Sequence, residues 1–79
     1  MSVKQQQPKP EDDHPIRVAV LAALEWIEVP VSPVQLGRCL DVPHATVRYH
    51  LLVLEQRGVA RVVDTKANRN AIEYLWRPA

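Results

Sequence analysis

The side chains best suited to contact a polyanion are concentrated in the second half of the sequence. Between His44 and Asn70 there are five basic and two acidic residues, a local net charge of +3, whereas the whole 79-residue chain carries only +1. The basic residues are Arg48, Arg57, Arg61, Lys66 and Arg69, and the acidic ones are Glu55 and Asp64. Positive charge clustered on one surface attracts phosphates. The local charge therefore indicates a phosphate-facing surface that the net charge does not reveal.

Small or hydrogen-bonding residues stand together near the predicted start of a helix. They are His44, Ala45, Thr46, Arg48 and Tyr49. A helix that enters a major groove needs such residues at its exposed N-terminal end, because bulky side chains would block the approach to base edges. Arg48 can pair bidentately with guanine, or else contact only phosphate or water. Thr46 can bond a phosphate, contact a thymine methyl group or cap the helix.

Other residues can contact the sugar-phosphate backbone. Tyr49 can reach a phosphate or pack on the preceding helix, and His44 can contact a phosphate from the helix start. Arg38, on that preceding helix, can touch the DNA backbone that this helix crosses. Lys66 and Arg69 are predicted at a loop tip, where they contact phosphates or the minor groove, or merely keep the loop soluble.

Enzymatic and metal-binding chemistry has little support. Two glycines are too few for a phosphate-cradling loop. His44 and His50 are six residues apart, which does not place both on one helix face, and Asp64 and Glu73 facing each other across a predicted hairpin are most simply surface acids. The single cysteine, Cys39, excludes an internal disulfide and is predicted to be a core residue. We expect no catalytic residue, no metal and no cofactor.

Three helices are predicted to position these residues. The first runs from Ile16 to Val29, capped by Asp13 or His14 and stopped by Pro30. Residues 32–35 fit a capping box that opens a short helix over 33–40, and Asp41 suits a left-handed turn. The third helix covers 43–57, with Gly58 as its C-terminal cap. Its predicted inward residues are Val47, Leu51 and Leu54, with His50 beside them as a packing histidine bonded to a backbone carbonyl.

A β-hairpin is predicted after the third helix. Residues 59–64 and 71–76 alternate like strands, and the loop 65–70 joins them with asparagines at turn positions. Trp26, Tyr74 and Trp76 are predicted to be core or rim aromatics. The predicted fold is mostly α with a β-hairpin, a winged helix-turn-helix made of a three-helix bundle plus a wing, over residues 14–79. Residues 1–13 are polar and rich in proline, and are predicted to be a disordered N-terminal arm.

Residues 42–59 resemble the recognition-helix region of ArsR-type winged-helix repressors. The matching residues are Thr46-Val47, Tyr49, His50-Leu51, Val53-Leu54 and Gly58-Val59, and residues 72–75 resemble the family's returning strand. We expect neither the family's metal-binding cysteine pair nor its C-terminal dimer helix. Leu52 stands where the family usually has lysine, and Arg57 where it usually has alanine. The resemblance implies DNA binding without metal sensing, and the usual dimer interface cannot be carried over.

Together these observations predict a sequence-specific regulator of transcription, a repressor, that binds double-stranded DNA. Its recognition helix, 43–57, enters the major groove, and its wing, 65–70, contacts phosphates or the minor groove. The alternative is a winged-helix module that binds another protein and not DNA, which Leu52 and the modest net charge favour. A third reading, binding of left-handed DNA or RNA, is weaker because the asparagine that such domains place beside the tyrosine is not evident.

A homodimer built on the first helix is predicted from its composition. Beyond the core-facing residues this helix carries Val18, Ala19, Leu21, Ala22 and Trp26, so it is apolar around most of its circumference. The longest apolar run, Val18 to Leu24, is far shorter than a membrane span. We expect no membrane association, no small-molecule effector, and a cytoplasmic protein that joins the nucleoid when bound to DNA.

Overall fold

Three helices and a two-stranded antiparallel hairpin make up the described part of the chain. The structure is a computed structural model that describes residues 14–79, so the predicted N-terminal arm, 1–13, lies outside the described residues. In order, the elements are α1 (Pro15–Trp26), α2 (Pro33–Leu40), α3 (His44–Gln56), β1 (Ala60–Asn68) and β2 (Ala71–Pro78). The predicted fold class, three helices followed by a hairpin wing, is confirmed.

α1 begins as predicted but ends three residues early. The His14 Nδ1 atom accepts a hydrogen bond from the Ile16 amide, and Pro15 occupies the first helical position. Ile27 is extended, with φ −85° and ψ 116°, so the expected helix to Val29 is wrong. The Arg77 Nη1 atom donates to the carbonyl oxygens of Leu24 and Ile27 and so caps the end of α1.

α2 and the turn after it follow the local signals closely. The Ser32 hydroxyl accepts from the Gln35 amide while the Gln35 side chain accepts from the Ser32 amide, which is the predicted capping box. Asp41 is left-handed, with φ 57°. Cys39 is exposed rather than in the core, because the buried positions of this short helix are Leu36 and Gly37.

Every helix and strand contributes residues to the hydrophobic core. Its residues are Val20, Leu24, Val31, Leu36, Val47, Leu51, Leu54, Ala60 and Trp76. Trp76 is 3% exposed, and its backbone forms a two-way bridge with Val31, with N···O distances of 3.1 and 2.7 Å. This bridge ties the segment before α2 to β2. Trp26, in contrast, is 85% exposed and contributes nothing to the core, contrary to expectation.

The hairpin is longer and its connection tighter than the sequence predicted. The last pair of residues before the turn is Asn68 and Ala71, so the predicted loop 65–70 is reduced to Arg69 and Asn70. The positive φ of the turn, 58°, falls on Arg69 and not on an asparagine. A register shift between Val62 and Asp64 leaves Val63 as an extra residue in β1. Such a bulge bends its strand and increases the local twist.

Candidate nucleic-acid interface

The first half of α3 presents the predicted contact residues on the protein surface. Pro43 is the N-cap, and its carbonyl accepts from the amides of Thr46 and Val47 at 3.0 and 3.1 Å. Thr46 therefore lies at the third helical position and is not the cap, which removes one of its predicted roles. His44, Ala45, Arg48 and Tyr49 are exposed, and Thr46 is half-buried.

The opposite face of α3 anchors the helix in the core. Val47, His50, Leu51 and Leu54 are buried, as predicted. Because these residues recur at intervals of three and four, the remaining positions project together away from the bundle. The arrangement leaves the helix fixed on one side and open to solvent on the other.

Tyr49 contacts its neighbour His50 and Arg17 of α1. Its ring is 58% exposed and meets the His50 ring edge-on at a centroid distance of 5.1 Å. The guanidinium carbon of Arg17 lies 6.0 Å from the centre of the same ring, within the range of a cation–π interaction. The phenol is thereby restrained while its outer edge remains accessible.

His50 is almost fully buried, with 2% of its surface exposed. Its Nδ1 atom accepts a hydrogen bond of 3.1 Å from Nε of Arg17. The His14 ring lies against it at a centroid distance of 4.7 Å. The prediction of a buried packing histidine was right, and its Nδ1 atom accepts from a side chain of α1.

Arg38 and His44 are brought together by the turn between α2 and α3. Both line a shallow, open depression whose other walls are Val34, Gly37, Asp41, Val42 and Pro43. Arg38 is the basic residue in the last turn of α2. Its guanidinium and the His44 imidazole can therefore both face an anion that passes over the turn.

Gly37 makes the close contact between α2 and this turn possible. A Cβ atom built at Gly37 would lie 2.5 Å from the Val42 carbonyl oxygen and 3.4 Å from the His44 amide nitrogen. Real Cβ atoms do not approach backbone this closely, so a side chain would push the two helices apart. Sequence reasoning missed this requirement, since a glycine inside a helix signals a close approach only once the neighbour is known.

The two predicted wing cations occupy different settings. Arg69 lies at the turn, whereas Lys66 lies within β1, opposite Glu73, and so is not at a loop tip. The side-chain amide of Asn68 donates to the Glu73 carboxylate at 2.8 Å. Asp64 pairs with Leu75, so the expected facing of Asp64 and Glu73 is wrong. Both cations are exposed, on a different element from the α3 residues.

Metal-binding and membrane-spanning features have no support in the described part of the chain. Across residues 14–79, no group of three or more histidine, cysteine, aspartate or glutamate side chains is placed to hold a metal ion. None of the helices in that range has the length and hydropathy needed to cross a bilayer.

Comparison with known proteins agrees with this geometry. A family model described as a helix-turn-helix domain matches residues 13–63. The chain belongs to the helix-turn-helix domain family. The matched segment covers α1, the α2–turn–α3 pair and the start of β1, ending at the bulge residue Val63. No curated protein matches the chain.

Membership in the helix-turn-helix domain family indicates the kind of function that the domain serves. Together with the hairpin that follows α3, it identifies a winged helix-turn-helix, as the sequence predicted. This family match supports a DNA-binding, regulatory kind of function. α2 and α3 form the helix pair, and α3 is the element in the position of a recognition helix.

Proposed function

We propose that this protein is a sequence-specific regulator of transcription that binds double-stranded DNA and represses by occupying an operator. The observation that carries the proposal is the exposed start of α3, where Ala45 leaves room for close approach and Arg48 stands beside it. Arg48 would pair bidentately with guanine, and Thr46 would bond a phosphate or contact a thymine methyl group. Such a protein would act in the cytoplasm, on the nucleoid.

The remaining contacts would fix orientation on the duplex. Arg38 and His44 share one depression beside the turn, which supports a joint phosphate contact. Tyr49 would add a phosphate contact from α3, and Lys66 and Arg69 would meet phosphates or the minor groove from the wing. These contacts carry affinity but no sequence information, so specificity would depend on α3.

The alternative of a protein-binding module has one supporting observation, the 39% exposure of Leu52 on α3. Membership in a DNA-binding family favours the regulator instead. A salt titration of duplex binding separates the two. With three to five phosphate contacts, the logarithm of the binding constant should fall with the logarithm of salt concentration with a slope of about −3 to −5. No duplex binding at ~50 mM salt would exclude the regulator.

Two substitutions separate base reading from phosphate contact. Arg48→Ala should relax preference at one base pair, a loss of roughly 1–3 kcal/mol of discrimination. Lys66→Ala should weaken binding to all DNA sequences equally. It should also make the salt dependence of the binding constant shallower by about one. Sites selected from a random duplex library provide the measurement. Equal, sequence-independent losses for both variants would remove Arg48 from the base-reading residues.

We also propose that the protein forms a homodimer through α1. Val18, Ala22 and Trp26 follow one another at intervals of four residues, so they share one face. Val18 is 41% and Trp26 85% exposed, and Ala22 is exposed as well. The face is self-complementary, because an antiparallel partner would set Ala22 against Ala22 and each Trp26 against the other Val18. An isologous contact of this kind suits a two-fold dimer.

A dimer of this form would present two recognition helices to one face of the duplex. Half-sites about 34 Å apart on a palindromic operator would then fit. Sedimentation equilibrium at micromolar concentration should give a dimer for the native chain and a monomer for Ala22→Glu. Ala71→Glu, which adds the same charge at an exposed position of β2, is the control and should remain dimeric. A native chain that stays monomeric contradicts the proposal.

A further inference from the structure

Four exposed residues form a continuous stripe along the outer surface of α3. They are Ala45, Tyr49, Leu52 and Gln56, all classed as exposed and spaced by four, three and four residues. We refer to them as the α3 outer stripe. Its centre carries no charge, because the neighbouring charged residues Arg48 and Glu55 lie to one side of it. The surface in the position of a recognition helix is therefore uncharged along its middle, and Ala45 and Leu52 are its apolar members.

Leu52 is the unusual member of the α3 outer stripe. It is 39% exposed, whereas Leu51 is fully buried and Leu54 is 3% exposed, so the core is filled without it. Its side chain can neither donate nor accept a hydrogen bond, and it offers a phosphate no charge. On a surface that meets DNA, its contribution has to come from contact with another apolar group.

The major groove offers one apolar group among the standard bases. Thymine carries a C5 methyl group there, whereas adenine, guanine and cytosine present only hydrogen-bonding atoms and ring edges. Alanine and other apolar side chains contact this methyl group. Ala45 and Leu52 are seven residues apart on one face, a separation of about 10.5 Å along the helix axis.

We propose that Ala45 and Leu52 read thymine methyl groups, so that the operator carries thymine opposite both positions. The inference rests on the proposed duplex binding and names the base chemistry that this binding selects. At about 3.4 Å per base-pair step, the 10.5 Å separation spans no more than about three steps. The two methyl groups therefore lie within one half-site, on either side of the region that Arg48 faces.

Uracil substitution tests the proposal without altering the protein. Deoxyuridine lacks only the C5 methyl group and keeps every hydrogen-bonding atom of thymine. Operators selected from a random duplex library are resynthesised with uracil at one thymine at a time, and binding is measured by fluorescence anisotropy. Loss of a buried methyl group is worth about 0.8 kcal/mol, so each contacted position should weaken binding about fourfold.

Variants of Leu52 assign one of these positions. Leu52→Ala should bind thymine and uracil equally at one position and keep the discrimination at the other. Leu52→Met, which retains an apolar side chain, should keep the discrimination between thymine and uracil at both positions. Leu52→Lys should lose the same discrimination while making the salt slope steeper by about one, because it adds a phosphate contact. Far-UV circular dichroism confirms that each variant is folded.

The outcomes separate this inference from the proposed function. If no duplex is selected from the library, the proposed function fails. If operators are selected but uracil changes affinity at no position, duplex binding stands and the methyl contacts are wrong. If Leu52→Ala keeps every thymine preference of the native chain, the assignment of a methyl contact to Leu52 is overturned.

Discussion

At the scale of single residues, the support of α3 depends on a bond from α1. Nε of Arg17 donates to Nδ1 of the buried His50, one residue before Leu51 in the core. Arg17→Met removes this donor while keeping an aliphatic side chain. We expect the free energy of unfolding to fall by about 1–3 kcal/mol, since a buried polar atom loses its partner. Urea denaturation measures the change.

Arg48→Met is the matched control for that substitution. Arg48 is exposed on α3, and surface substitutions away from structural contacts usually change stability by no more than about 0.5 kcal/mol. Equal losses for the two variants would mean that the Arg17–His50 bond contributes nothing specific.

A second single residue joins the hairpin to α1. Nη1 of Arg77 donates to the carbonyl oxygens of Leu24 and Ile27, at the C-terminal end of α1 where carbonyl groups lack helical partners. Arg77→Met should therefore lower the free energy of unfolding by about 1–3 kcal/mol. Arg61, its exposed register partner on β1, provides the control as Arg61→Met. Unchanged urea midpoints for both variants would contradict the role of Arg77.

The sequence indicated which residues are buried more readily than what they contact. The burial of His50 follows from its place beside Val47, Leu51 and Leu54, because helical spacing is a local signal. Its partner, Arg17, is 33 residues away, and no local spacing encodes a contact between separate elements. The exposure of Cys39 was missed for the same reason, since only the packing of a short helix decides which of its residues lie inside.

At the scale of elements, the angle between α2 and α3 depends on Gly37. Gly37→Ala would bring Cβ against the Val42 carbonyl oxygen, so we expect a loss of about 1–3 kcal/mol in stability and weaker duplex binding. Gly58 differs, since its surroundings are open and only its φ of 77° opposes a side chain. Thermal unfolding and anisotropy measure both effects.

Substitution by asparagine shows whether steric contact or backbone conformation limits each of the two glycines. It tolerates left-handed backbone better than alanine does, so Gly58→Asn should be more stable than Gly58→Ala. At Gly37 the larger side chain should be at least as damaging as alanine. If asparagine were milder than alanine at both positions, the close contact of Gly37 with the turn would not be the limiting factor.

Helices were predicted more accurately than the wing. The boundaries of α2 and α3 follow from caps within a few residues of each end, namely Ser32, Gln35, Asp41 and Gly58. The distal strands, in contrast, consist of polar residues that resemble a loop and are held only by pairing across the hairpin. The placement of Lys66 depended on this pairing and was therefore wrong.

At the scale of the whole molecule, the two tryptophans report on different events. Trp76 is buried in the core, and Trp26 is exposed on α1. If α1 forms the dimer interface, acrylamide quenching of tryptophan fluorescence should decrease as protein concentration rises through the dissociation constant, because Trp26 becomes covered. In Trp26→Phe the buried Trp76 is the sole remaining tryptophan, so quenching should be weak at every protein concentration. Concentration-independent quenching of the native chain would contradict the dimer.

The bridge between Val31 and Trp76 also affects when the chain can complete its fold during synthesis. A chain made from its N-terminus gains Leu51, in the middle of α3, 25 residues before Trp76. At roughly 5–20 residues per second, this interval lasts about 1–5 s. Within this interval the synthesis of α3 is completed, but the three helices still lack the Trp76 side chain of their core. The core that positions α3 is therefore complete only after Trp76 has been added, and we expect the proposed operator binding to require that step.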